Sequence, residues 1–88
     1  MTRSTLIIPT LNEAESIGPL LAEIPVEWLD QVIVVDNGST DGTGEIARQA
    51  GVRVIQEPRR GYGYACAAGA LAAEGEILVF MDGDFMLF

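Results

Sequence analysis

Four apolar stretches of strand length recur along the chain, and a segment of helical character lies between each pair. Leu6-Ile7-Ile8, stopped by Pro9, predicts a first strand, and Val32-Ile33-Val34-Val35, closing on Asp36, predicts a second. Val52 to Gln56 and Ile77 to Met81 predict a third and a fourth. Strands that are apolar along their length are buried on both faces. Between the first two, Ile17, Leu20, Leu21 and Ile24 fall at i, i+3, i+4 and i+7, the apolar face of a helix. Ser16 is its expected N-cap, Pro19 falls in the first turn, and Pro25 stops it. A short second helix, capped by Asp41 or Thr43, runs through Ala50 to a stop at Gly51, with Ile46, Ala47 and Ala50 inward. A third, from Tyr62 to Ala73, is built of alanines and Gly69, small enough to lie close against a sheet, and Gly75 ends it. The order β-α-β-α-β-α-β with short connections makes this an α/β chain with a parallel sheet covered on both faces. At 88 residues it is a single small domain, which buries only about 60 to 65 % of its unfolded surface.

In such a sheet ligands bind beyond the carboxyl ends of the strands, and the unusual polar residues gather there. Thr10, Asn12 and Glu13 follow strand one, Asp36, Asn37 and Asp41 follow strand two, Arg59 and Arg60 follow strand three, and Asp82 and Asp84 follow strand four. Each has a plain structural explanation alone: Asp41 as a helix cap, Asn37-Gly38 as a turn, Glu13 as a solvated carboxylate. Their shared rim points to a site. In Asp82-Gly83-Asp84 the two carboxylates are two residues apart and on an extended chain point the same way. They repel by roughly 1 to 4 kcal/mol, depending on the local dielectric, and a divalent cation would remove that repulsion. Asp-Gly is also common turn chemistry, so the motif alone reads as either.

Composition narrows the chemistry. A net charge of −8, from thirteen acidic residues against five arginines and no lysine, argues against nucleic acid or an anionic membrane surface as a direct partner. No histidine is present, which excludes a Ser-His-Asp arrangement, and the one cysteine, Cys66, cannot build a soft-metal site. Oxygen ligands favour Mg²⁺ or Mn²⁺. No Gly-x-x-x-x-Gly-Lys-Ser/Thr loop occurs. Gly61-Tyr62-Gly63 is a weak dinucleotide fingerprint, since it follows the third strand and lacks the last glycine; tight turning and helix packing account for it. With no internal disulfide available and no secretory cleavage signature, a cytoplasmic location is expected.

Three motifs in register carry a resemblance. Ile8-Pro9-Thr10-Leu11-Asn12-Glu13, Val35-Asp36-Asn37-Gly38-Ser39-Thr40-Asp41-Gly42-Thr43 and Met81-Asp82-Gly83-Asp84 resemble glycosyltransferase family 2, whose members have the GT-A fold. Arg60-Gly61-Tyr62-Gly63-Tyr64-Ala65, running into Gly69, further resembles the branch of dolichyl- and polyprenyl-phosphate mannose and glucose synthases. The resemblance implies a Rossmann-like N-terminal half of a GT-A domain that binds a nucleotide sugar, GDP- or UDP-linked. Pro9, Thr10 and Glu13 would lie beside the base and ribose, and Asp36 would contact base or ribose. Asn37, where many members have a second aspartate, joins the same substrate-binding set. Asp41 would cap its helix and shape the pocket, and Arg59 or Arg60 would help neutralise the diphosphate. Asp82 and Asp84 would hold the divalent metal and, through it, the donor. The implied reaction displaces a nucleoside diphosphate from a sugar's anomeric carbon.

The family pattern continues beyond Asp-x-Asp into an acceptor-binding portion, whereas this sequence reads Phe85-Met86-Leu87-Phe88. The expectation is therefore a donor-binding segment, residues 1–88, without the acceptor part or a catalytic base, inactive by itself. A longer form would take a lipid-phosphate acceptor and be membrane-peripheral. An apolar, proline-free fourth strand and tail also predict self-association through residues 77–88. The alternatives are a non-catalytic nucleotide-binding or self-assembling module and a sugar-nucleotide pyrophosphorylase. The second would want a glycine-rich basic loop directly after strand one.

Overall fold

The computed structural model describes residues 3–81 apart from 26 and 28. The order is β1 (Ser4–Thr10), α1 (Ala14–Glu23), β2 (Gln31–Asp36), α2 (Thr43–Gln49), β3 (Arg53–Gln56), α3 (Tyr62–Ala72) and β4 (Ile77–Phe80). The strands form one parallel sheet in the order β3-β2-β1-β4. The chain thus grows outward from β1 on one side, then crosses back to place β4 on the other.

Strand alternation sorts the apolar residues into two layers. Leu6, Ile8 and Val34 face α1 and α2 and pack with Ile17, Leu20, Leu21, Ile24 and Ala47. Ile7, Ile33 and Val35 face α3 and pack on Ala65, with Ala68 and Ala72 around it. The alanine-rich α3 can lie this close because Gly69 sits directly over β1: a methyl group there would overlap Ile7 Cγ2 and come within 3.2 Å of Val35 Cγ2.

Several local expectations change: β4, expected to be buried on both faces, is exposed throughout, and Ala50, expected inward, is exposed as well. Pro9 lies inside β1 rather than ending it, paired in register with Val35. Ile7 turns its carbonyl toward β4, where Met81 N–H donates to it; Pro9, two residues on, faces the same side. Its missing N–H therefore removes no bond to β2. Helix α1 begins at Ala14, ahead of Ser16, so Pro19 is interior rather than in the first turn. Pro19 and Glu15 both lie on the exposed side, where the carbonyl that Pro19 deprives of a donor can meet water. α1 starts early because another loop supplies its cap: Glu13 N–H donates to Thr43 Oγ1 (2.9 Å) and Ala14 N–H to Asp41 Oδ2 (3.1 Å).

At the amino ends, Thr5 and Gln31 tie down the turn before β4: Thr5 Oγ1 donates to Gln31 Oε1 and accepts from Gly75 N–H, and Gln31 Oε1 also accepts from Glu74 N–H. β4 forms the sheet's outer strand next to β1, and all four of its residues are exposed, from 37 % at Leu78 to 50 % at Ile77.

Candidate functional site

The reversal of strand order at β1 is a topological switch point, and the crevice for a ligand opens at the carboxyl ends of the strands on either side of it. Thr10 and Asp36 end β1 and β2 as register partners. Both are buried, and Thr10 Oγ1 donates to Val35 O across the strand pair. Pro9 is buried just before them.

Asp36 is the most notable acid of the rim. It is only 5 % exposed, yet among the described residues no arginine pairs with it. Its carboxylate is held by neutral donors: Ser39 N–H to Oδ1 (2.8 Å) and, at longer range, Gln56 Nε2 to Oδ2 (3.4 Å). Gly44, in the first turn of α2, provides the space. A methyl group there would lie 2.7 Å from Asp36 Oδ2 and 3.2 Å from Gln56 Nε2.

Asn37 does something different. Its amide nitrogen donates to Glu57 O and Arg59 O, both at 2.8 Å, and its Oδ1 accepts from Gly61 N–H at 3.0 Å. The side chain thus fastens the 57–61 loop to the end of β2. An aspartate here would lack both donors and face two carbonyls instead.

That loop separates the two arginines. Arg59 is engaged: its Nη2 donates to Glu57 Oε1 (2.8 Å), its Nε and backbone N–H donate to Glu57 Oε2, and its guanidinium carbon lies 4.6 Å from the centre of the Tyr64 ring. The side-chain hydrogen bonds from Arg59 hold the Glu57 carboxyl below the usual range, and Glu57 in turn raises Arg59. Arg60 forms no ion pair among the described residues and lies across Gly38, where a methyl group would sit 3.3 Å from its Nε. Gly38 has φ +97°, a conformation that favours glycine.

Asp41 receives the Thr43 hydroxyl on Oδ1 together with Thr43 N–H (3.1 Å), and Ala14 N–H on Oδ2. The Thr43 hydroxyl bond foremost, helped by the backbone donors and opposed by desolvation, holds the Asp41 carboxyl below the usual carboxylate range. Asp41 therefore braces α1 and α2 at once. Glu13, at the start of α1, is half-buried and places its carboxylate near Ser16 Oγ.

The fold thus brings Pro9, Thr10, Glu13, Asp36, Asn37, Asp41, Arg59 and Arg60 to one rim. Asp82 and Asp84 lie outside the described residues. Among the described residues no group of three or more His, Cys, Asp or Glu side chains is placed to hold a metal, and no helix is long and apolar enough to cross a membrane. Sequence reasoning passed over Gly44, Gln56 and Glu57. Their only linear signals are a glycine within a short helix and an acid two residues before an arginine.

The sequence model of glycosyl transferase family 2 matches residues 5–87. An uncharacterised glycosyltransferase of Mycobacterium bovis is 46 % identical over 80 residues, covering 91 % of this chain and 36 % of that protein. A dolichyl-phosphate hexose transferase of Haloferax volcanii is 41 % identical over 81 residues, covering 90 % and 35 %. Among solved structures, glucosyl-3-phosphoglycerate synthase from Mycobacterium tuberculosis, in complex with Mn²⁺, UDP and glucosyl-3-phosphoglycerate, superposes with a TM-score of 0.89 at 32 % identity, covering 97 % of this chain and 34 % of that one. The chain spans about a third of the length of these relatives.

Proposed function

The chain belongs to glycosyl transferase family 2, and from that premise we propose that it forms the donor-binding part of a metal-assisted glycosyltransferase, taking a nucleoside-diphosphate sugar at the carboxyl rim of its sheet. The observation that carries this reading is the buried Asp36 carboxylate. Neutral donors hold it beside Thr10, at the switch point, with no cation opposite among the described residues. Such a group is suited to accept hydrogen bonds from the N–H and O–H groups of a base or ribose. Pro9, Thr10, Glu13 and Asp36 form the nucleoside side, and Asn37 and Asp41 keep the two loops in place. Arg60, which forms no ion pair among the described residues, is the side chain proposed to meet the diphosphate, while Arg59 is engaged by Glu57.

The side chains at this rim offer oxygen donors, with no histidine in the chain, a set that suits a hard divalent cation such as Mg²⁺ or Mn²⁺. Asp82 and Asp84 are its proposed ligands, and the ion would supply charge to the departing diphosphate. Mn²⁺ and UDP in the similar synthase favour UDP as the first nucleotide to test. The acceptor is proposed to carry a phosphate, as the names dolichyl-phosphate hexose transferase and glucosyl-3-phosphoglycerate synthase suggest.

Calorimetric titration with UDP and GDP, with and without Mn²⁺, tests the reading. Metal-dependent binding that disappears in Asp36→Ala and in Asp84→Ala is expected. A chain that binds neither nucleotide under any of these conditions overturns it.

A further inference from the structure

We propose that Asn12 is a positioning residue of the donor site, acting on Asp36 through the Ser39–Thr40 turn that its side chain and backbone hold; this rests on the donor-site reading above. Among the described residues Asn12 is the one non-glycine with positive φ, at 55°, although it is exposed and has no packing reason to adopt that conformation. A left-handed residue held at a site rim points to a local requirement, and asparagine tolerates that conformation better than most.

The requirement is visible in its bonds. Asn12 N–H donates to Ser39 Oγ (2.9 Å), and Asn12 Oδ1 accepts from Thr40 N–H (2.9 Å). One residue thereby grips two consecutive residues of the loop after β2. Ser39 N–H in turn donates to Asp36 Oδ1 (2.8 Å). The relay runs from the loop after β1, through Ser39, to the carboxylate at the heart of the site. Beside it, the Glu13–Thr43 and Ala14–Asp41 bonds join the same two loops on the helix side. These anchors let α1 and α2 keep their docking without Asn12, so its own pair of bonds is left to fix the Ser39–Thr40 turn. Holding an acceptor in its bound geometry before the ligand arrives spares the ordering loss on binding.

The test compares Asn12→Gly, which keeps the left-handed backbone and loses Oδ1, with Asn12→Asp, which keeps an acceptor in place. The 88-residue chain is titrated with UDP and Mn²⁺, alongside thermal melts and amide exchange at Ser39 and Thr40. Expected for Asn12→Gly is affinity lowered about tenfold, faster exchange at both amides, and a melting temperature within about 4 °C of the unaltered chain. Asn12→Asp is expected to bind within about threefold of it. Unchanged UDP affinity in Asn12→Gly overturns the proposal alone, as does an Asn12→Asp chain that binds no better than Asn12→Gly. Failure of the unaltered chain to bind UDP overturns the donor-site reading and this proposal with it.

Discussion

Gly44 is a glycine because the Asp36 carboxylate occupies the space its side chain would need. Replacing glycine within a helix normally stabilises it, by up to about 1 kcal/mol. Gly44→Ala should instead separate folding from binding. The added methyl displaces Asp36 Oδ2, and UDP affinity is expected to fall about tenfold or more, the loss of one charge-assisted bond. Titration of the variant with UDP and Mn²⁺ measures this, and wild-type affinity would refute it. The acids around Asp36 also set a pH response. Asp41 and Glu57 are both held below the ordinary carboxylate range, Asp41 foremost by the Thr43 hydroxyl and Glu57 by Arg59. A lowered folded-state value gives stability that is complete above the ordinary carboxylate range. It is lost as pH falls through the folded values, below about pH 4. Urea unfolding followed across that window should show the decline. In Asp41→Asn, which has no charge to lose there, the slope is expected to be shallower.

The elements are joined by contacts whose size is legible only in three dimensions. α3 has no polar stripe to orient it, and Gly69 sets its distance from β1 and β2. Gly69→Ala is expected to destabilise the fold by about 1 to 3 kcal/mol through overpacking against Ile7 and Val35. Gly63, in the first turn of the same helix, has open space where a methyl group would go. Gly63→Ala is therefore expected to be neutral or stabilising by up to about 1 kcal/mol. Thermal melts of the two variants compare them directly, and equal effects would show that Gly69 is not the close contact. The capping of α1 makes a related point. Glu13 and Ala14 find their acceptors about thirty residues away, in Asp41 and Thr43, which no local cap rule can anticipate.

On the scale of the whole molecule, the outer strand β4 presents Ile77, Leu78, Val79 and Phe80 to solvent along an apolar edge of the sheet. Edge strands of this kind pair with other chains unless blocked. We propose self-association of this chain through the region 77–88, of which residues 82–88 lie outside those described. Light scattering at about 50 μM is expected to show a dimer or larger species, and Val79→Lys to restore the monomer. A monomer for the unaltered chain would count against it. The chain also spans only about a third of its relatives.

The alternation of apolar runs with helical spacing determined the seven elements, the parallel sheet and the rim on which the polar residues collect. Period is a property of the linear pattern; burial followed it in β1 and β2, but not in β4, whose apolar residues are exposed. The family motifs were legible for the same reason, being short stretches that carry their residues at fixed spacing. The tertiary structure alone decided what each rim residue does. Asn37 fastens a loop, Arg59 is engaged by Glu57 while Arg60 is left across Gly38, Asp41 caps a helix that is not its own, and Pro9 sits inside a strand. The roles of Asn37 and Asp41 depend on hydrogen bonds between residues twenty to thirty positions apart. Their partners become neighbours only when the strands take the order β3-β2-β1-β4 and bring the loops after β1, β2 and β3 together at one end of the sheet.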